Sequence, residues 1–141
     1  MIMETTVHAA TPTQSTSKVA RWAGYLITIL VVLFLLFDCT IKLLNLPIAV
    51  EGTVSLGYPA NVIVPLGILQ LVCLVIYLIP QTSVLGAILI TGYLGGAIAT
   101  HVRLGNPLFS HILFPVYIGL MIWGGLYLRN RRLRKLIPLQ R

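Results

Sequence analysis

Four long apolar segments, separated by short polar breaks, dominate the pattern of the 141-residue chain. About 20 consecutive apolar residues let an α-helix cross the hydrocarbon core of a bilayer. The pattern therefore predicts an all-α integral membrane protein built as a four-transmembrane-helix bundle. The predicted spans cover about residues 22–44, 62–79, 84–102 and 108–128.

The connections between the spans carry residues that begin and end helices. Pro47 suits the first turn of a helix, and Gly57 suits the position just after one. The first connection is therefore predicted to hold a short interfacial helix between spans one and two, over roughly residues 47–56. Pro115 would bend the fourth span unless it lies in the first turn or two.

The two ends of the chain are polar and lie outside the predicted membrane domain of residues 18–128. Residues 1–17 are rich in Thr and Ser and lack periodicity, which predicts a disordered N-terminal tail. Residues 129–141 form a basic C-terminal tail, and Lys18 and Arg21 flank the first span. Four spans place all these basic residues on one side. The positive-inside rule then predicts both termini in the cytoplasm of a multi-pass protein in the inner (plasma) membrane.

Composition and charge narrow the class of partner. Only 9% of the residues are charged, whereas a soluble domain carries roughly 25%. The net charge of +7 could suggest nucleic acid, but nucleic-acid binding favours aromatic residues interleaved with basic ones. The basic tail has no aromatic residue after Tyr127. The predicted partner is therefore the lipid bilayer, with its anionic head groups, and not nucleic acid.

Five ionisable residues gather at the predicted outer face. Asp38 and Lys42 are four residues apart at the outer end of span one, so they share a helix face. His101 and Arg103 end span three on the same side, and His111 begins span four there. An isolated charge in hydrocarbon costs about 2.5–3.5 kcal/mol. We therefore expect these residues to form one polar network, which is the candidate binding site.

The chemistry of this network leaves alternatives open. The Asp38–Lys42 pair either neutralises itself near the interface, with Lys42 reaching outward, or Asp38 faces the bundle interior and meets a group from spans three or four. Gln70, polar in the middle of span two, predicts an interhelical hydrogen bond. Histidine with carboxylate could bind zinc or iron, but no HxxxH or HExxH spacing occurs, so no metal is predicted. A histidine could also relay protons.

Catalytic motifs are missing from the sequence. It contains no nucleophile with a base, no paired catalytic carboxylates, no phosphate loop and no haem motif. A self-contained enzyme is therefore not supported.

Small residues repeat along span three and would let another helix approach closely. A homo-oligomer is among the partners considered. The stripe comprises Gly92, Gly96 and Thr100 at a spacing of four, with Gly95 and Ala99 alongside.

Several motifs in the spans carry a resemblance to a known family. The most specific is Thr-Gly-Tyr93-Leu-Gly-Gly-Ala-x-Ala-Thr-His101-x-Arg103, followed by Leu-Phe-Ser-His111-x-Leu-Phe-Pro-Val-Tyr. Span one adds Leu-Phe-Asp38-x-x-Ile-Lys42-Leu. Over roughly residues 20–138 the chain resembles the DoxX-like family of small four-span bacterial membrane proteins.

This resemblance implies a four-helix membrane protein of undefined biochemical role. Members of the wider superfamily are linked to quinone-coupled oxidoreductases, such as the small subunits of a thiosulfate:quinone oxidoreductase. The implied function is a non-catalytic membrane subunit or accessory of a redox system, with a quinone as cofactor and a membrane oxidoreductase as partner. A small proton-coupled transporter and a purely structural membrane protein are the alternatives.

Overall fold

The computed structural model describes residues 18–137, and within that range it contains helices and no strands. A 3-10 turn at Ala60–Val62 leads into α3, and a π turn at Leu108–Ile112 leads towards α5. The helices are α1 (Lys18–Leu43), α2 (Pro47–Ser55), α3 (Ile63–Leu78), α4 (Ser83–Arg103), α5 (Phe114–Arg129) and α6 (Arg131–Leu136).

Four helical segments are long and apolar enough to cross a membrane, and they confirm the predicted fold class. A short helix, α2, connects spans one and two, as predicted. The segments that could span a membrane are Lys18–Leu43, Ala60–Leu78, Ser83–Arg103 and Leu108–Arg129.

The four long helices form a ring in which each packs against two neighbours, in the order α1, α3, α4, α5. Their inward faces form one apolar core that includes Val31, Leu74, Ile90 and Ile122. The outward faces are also apolar; Leu33, for example, is 59% exposed. Lipid tails can cover such a surface at no cost, so the same composition that excludes a soluble protein suits a bilayer.

The bundle has two ends, which we call the basic end and the loop end. The basic end holds the start of α1, the turn between α3 and α4, and the end of α5. The loop end holds α2 and residues 104–113. Pro115 lies in the first turn of α5, where its missing N–H breaks no helical hydrogen bond.

Part of the predicted C-terminal tail is helical. Asn130 caps α6, because its side-chain oxygen accepts hydrogen bonds from the backbone N–H groups of Arg132 and Leu133. Leu133 is only 4% exposed and joins the core. The predicted N-terminal tail at residues 1–17 lies outside the described residues, as do residues 138–141.

Close approach of helices occurs at glycines other than the predicted stripe. A Cβ on Gly24 of α1 would lie 2.7 Å from Leu128 Cβ of α5, and a Cβ on Gly125 would lie 2.6 Å from Thr28 Oγ1. At the turn between α3 and α4, a Cβ on Gly86 would lie 2.3 Å from the Tyr77 backbone. Gly-to-backbone contact of this kind fixes the spacing of the helices.

The glycines of the predicted stripe on α4 instead face outward, whereas Thr100 is buried. A Cβ added to Gly92, Gly95 or Gly96 would meet no atom within 4 Å among the described residues. The expected close packing is therefore not made within residues 18–137. The inward face of α4 is instead formed by Ile90 and Leu94, which are buried.

Candidate functional site

Four polar side chains from three helices meet inside the bundle and form what we call the Lys42 network. Lys42 Nζ lies 2.6 Å from Asp38 Oδ2, 2.9 Å from Gln70 Oε1 and 3.1 Å from the Tyr93 hydroxyl. Gln70 Nε2 donates to Asp38 Oδ2 at 2.9 Å and to the Leu35 carbonyl at 3.2 Å. The Tyr93 hydroxyl donates to Gln70 Oε1 at 3.0 Å. The network thus joins α1, α3 and α4.

The hydrogen-bonding capacity at the centre of this network is fully used. An ammonium group has three donors, and Lys42 places all three on acceptors. The Gln70 amide makes four hydrogen bonds, two as donor and two as acceptor, and its residue is only 2% exposed. A polar network whose central donors and acceptors are paired across three helices favours one arrangement of those helices.

The direction of Lys42 explains how the network forms. Side chains on an α-helix lean towards the helix N-terminus, so Lys42, near the end of α1, extends back towards Asp38 and the bundle interior. The alternative in which Lys42 reaches outward is wrong for this structure. Asp38 meets Gln70 of span two directly, and Lys42 links it to Tyr93 of span three. The predicted interhelical hydrogen bond of Gln70 is confirmed.

The two histidines form a separate pair at the loop end. The ring centroids of His101 and His111 lie 5.6 Å apart, with 67° between the ring planes. Gly105, with φ +65°, turns the chain so that the Asn106 amide N–H donates to the His101 carbonyl. The Asn106 side chain returns to the same residue, with its Nδ2 2.8 Å from His101 Nδ1. Ser110 Oγ lies 2.7 Å from His111 Nδ1.

The contact with Asn106 determines which ring nitrogen of a neutral His101 carries the proton. An amide nitrogen only donates, so His101 Nδ1 accepts this hydrogen bond and the ring proton resides on Nε2. Neither imidazole Nε2 has a partner among the described residues. His101 therefore offers an N–H donor to a ligand, and its orientation is held from the other side of the ring.

Arg103 holds the end of α2 against the end of α4. Its Nη2 donates to the Leu56 carbonyl at 2.9 Å and so caps the C-terminal end of α2. Gly57, with φ +85°, leaves room for the guanidinium, because a Cβ there would lie 3.1 Å from Arg103 Nη2. The Tyr58 hydroxyl lies 2.8 Å from Thr100 Oγ1 and adds a second tie. Together these contacts fasten α2 to the end of α4.

The predicted single network is therefore wrong in its connections. The structure divides the five predicted residues into three groups: Asp38 with Lys42, His101 with His111, and Arg103 alone against α2. Among the described residues, no hydrogen bond or ion pair joins the histidines to the Asp38–Lys42 pair. The charged pair is neutral in itself and Lys42 has no donor left, so it does not draw in the histidines.

Tyr93 was not among the predicted members of the network. Its hydroxyl in the middle of a span was a usable signal, since such a group needs a partner in the membrane. Within residues 18–137, no three side chains of the His, Cys, Asp and Glu types lie together as a metal site.

A sequence model of the DoxX-like family matches residues 26–125. This range contains all four members of the Lys42 network and both histidines of the pair. No curated protein and no solved structure matches the chain.

Proposed function

Since the chain belongs to the DoxX-like family, we propose that it is a non-catalytic membrane subunit or accessory protein of a quinone-linked redox system. In this proposal it lies in the inner (plasma) membrane with both termini in the cytoplasm. The excess of basic residues at the basic end supports that orientation. The loop end then faces outward and carries the binding groups.

The observation that carries the proposal is the pair of open imidazoles at the loop end. A quinone has carbonyl oxygens that accept hydrogen bonds, and His101 holds its Nε2 proton ready to donate. Exposed aromatic rings flank His111 in the chain: Phe109 is 75% exposed and Tyr117 is 44% exposed. An amphipathic head group suits such a surface at a membrane interface.

The Lys42 network supports a non-catalytic role for the rest of the outer half. A proton carrier needs a carboxylate whose partners can change. Asp38 Oδ2 instead accepts from both Lys42 and Gln70 in a network that ties three helices together. This arrangement favours a fixed scaffold over a transporter, and it leaves the histidine pair as the binding element.

The proposal is tested by measuring quinone bound to the protein. We expect protein purified in mild detergent from its native membrane to retain quinone, measured by mass spectrometry of the organic extract. The double variant His101→Ala/His111→Ala should retain no more quinone than a detergent blank, because both imidazole contacts are lost. An oxidoreductase should appear in the same preparations when the proteins are identified.

Glu51→Gln is the matched control, because Glu51 is an exposed ionisable residue of the loop end outside the histidine pair. It should retain quinone like the wild type, and thermal unfolding should show that all variants are folded. Wild-type protein that carries no quinone from several detergents, or equal quinone in the histidine variant, would contradict the proposal.

A further inference from the structure

The basic end contains a cleft of about 730 Å³ that the proposed function does not use. It lies between the start of α1, the turn between α3 and α4, and the junction of α5 with α6. Four guanidinium groups line it, from Arg21, Arg129, Arg131 and Arg132, together with four neutral polar side chains that include Tyr25 and Asn130.

These arginines have no carboxylate partner among the described residues. The whole chain has three acidic residues, and the two that the structure describes, Asp38 and Glu51, belong to the other half of the molecule. Asp38 is already paired with Lys42. The cleft therefore concentrates positive charge with nothing in residues 18–137 to neutralise it, which attracts an anion.

Among the arginines that line the cleft, Arg129 makes the strongest demand for an anion. Its Nε and Nη2 atoms are buried, and neither has a hydrogen-bond acceptor among the described residues. The guanidinium is held in place, because its Cζ lies 5.3 Å from the ring centroid of Tyr77. Tyr77 is fully buried and donates to the Ile122 carbonyl at 3.1 Å. Arg129 is thus a partly buried cation whose buried Nε and Nη2 donors have no partner among the described residues.

A second groove, of about 300 Å³, continues from the cleft. The two share Arg21 and Tyr25, and the groove adds Lys18 and Trp22. Trp22 is 75% exposed at the start of a membrane span. A tryptophan in that position marks the membrane interface. The cleft is therefore continuous with a surface on which an amphiphile would lie.

We propose that this cleft binds a phosphate-bearing anion. The planar guanidinium fork matches the oxygens of a phosphate and forms paired, charge-assisted hydrogen bonds with them. The phosphate could belong to an anionic phospholipid or to a soluble phosphate compound, and these two sources share the chemistry of the site. The binding is independent of the histidine pair, which lies at the opposite end of the bundle.

Binding is tested on the full chain in a zwitterionic detergent by titration with short-chain phosphatidylglycerol. Wild-type protein should bind it, and Arg129→Gln should weaken the binding about tenfold, because charge-assisted hydrogen bonds are lost. Arg21→Gln, at an exposed residue whose loss does not threaten folding, should weaken it about threefold, since a partly solvated contact is worth less. Titrations with short-chain phosphatidylcholine and with inorganic phosphate separate the two sources.

Lys135→Gln is the matched control, because it removes one positive charge at the same end from an exposed residue outside the cleft. It should leave the affinity almost unchanged. Tight binding of phosphatidylglycerol alone assigns the site to a lipid, and equal binding of inorganic phosphate assigns it to a soluble anion; either supports the proposal. Equal losses of affinity in Lys135→Gln and Arg129→Gln would overturn the proposal. It would also be overturned if the wild type bound neither phosphatidylglycerol nor inorganic phosphate.

Discussion

At each end of the bundle a partly buried cation lies beside a tyrosine ring, but only one of the two cations has all of its donors paired. In the Lys42 network, Nζ lies 5.6 Å from the ring centroid of Tyr93 and all three of its donors are paired. At the basic end, Arg129 Cζ lies 5.3 Å from the ring centroid of Tyr77, yet its buried Nε and Nη2 have no acceptor among the described residues. Both sites combine a cation with a tyrosine. We call the Lys42 network closed because the donors of its cation are all paired, and the Arg129 site open because buried donors there have no partner among the described residues.

The difference separates groups that hold the fold from groups that await a ligand. A net hydrogen bond contributes only about 0.5–1.5 kcal/mol, whereas a buried polar group left unpaired costs about 1–3 kcal/mol or more. Breaking the closed network should therefore be expensive. Removing the open cation should cost little stability and should show its effect in binding. The histidine pair at the loop end belongs with the open groups, because its Nε2 atoms have no partner among the described residues.

The largest expected effect comes from the packing that holds Tyr77 under Arg129. Gly86→Ala would place a Cβ 2.3 Å from the Tyr77 backbone, and a backbone cannot give way as a side chain can. We expect a loss of about 3 kcal/mol in the free energy of unfolding, at the upper end for overpacking. The measurement is titration of the detergent-solubilised protein with a denaturing detergent.

Gly92→Ala is the matched glycine, because the same added methyl group would meet nothing within 4 Å. It should be neutral or stabilising by up to about 1 kcal/mol, since alanine is the better helix former. Equal losses at the two positions would show that the close approach of α3 and α4 is not as described.

The second effect comes from breaking the closed network. Lys42→Met leaves Asp38 without its counter-ion. It also removes one hydrogen bond to Gln70 and one to Tyr93. Because Lys42 and Asp38 are partly exposed, we expect about 2 kcal/mol, below the range for a fully buried pair. The same denaturant titration measures it.

A double variant sharpens this result. Asp38→Asn combined with Lys42→Met removes both charges, so it should recover about half of the loss. A double variant as unstable as the sum of its single changes would mean that the two side chains act independently, and the network would not be a unit.

The sequence predicted features that depend on one helix or on the connection between two consecutive helices. The four spans follow from local hydropathy, and the pairing of Asp38 with Lys42 follows from a spacing of four on one helix. His101 and His111 were placed together because they end and begin consecutive spans, and the structure brings their rings into contact.

The features that sequence reasoning missed depend on how helices are rotated and aligned against each other. Gln70 and Tyr93 reach Lys42 only because α3 and α4 present those residues inward at the same depth. The prediction of close packing at the glycines of α4 was wrong for the same reason. Small residues show where a helix could approach, but they do not show which face of the helix points inward. The cleft beside Arg129 is formed in part by the start of α6, and the composition of the basic tail did not predict this helix.

The smallest expected effect distinguishes an open cation from a closed one. Arg129→Gln removes a charge whose buried N–H groups have no acceptor in the described chain, so little stabilisation is lost. In buffer free of phosphate and anionic lipid, we expect the free energy of unfolding to change by no more than about 0.5 kcal/mol. The same concentration of phosphatidylglycerol should then stabilise the wild type more than the variant, because the variant binds about tenfold more weakly and a ligand stabilises only the state that binds it. If Arg129→Gln instead costs as much as Lys42→Met without any anion, while Lys135→Gln is neutral, the Arg129 guanidinium is part of the fold, and the contrast between the two ends fails.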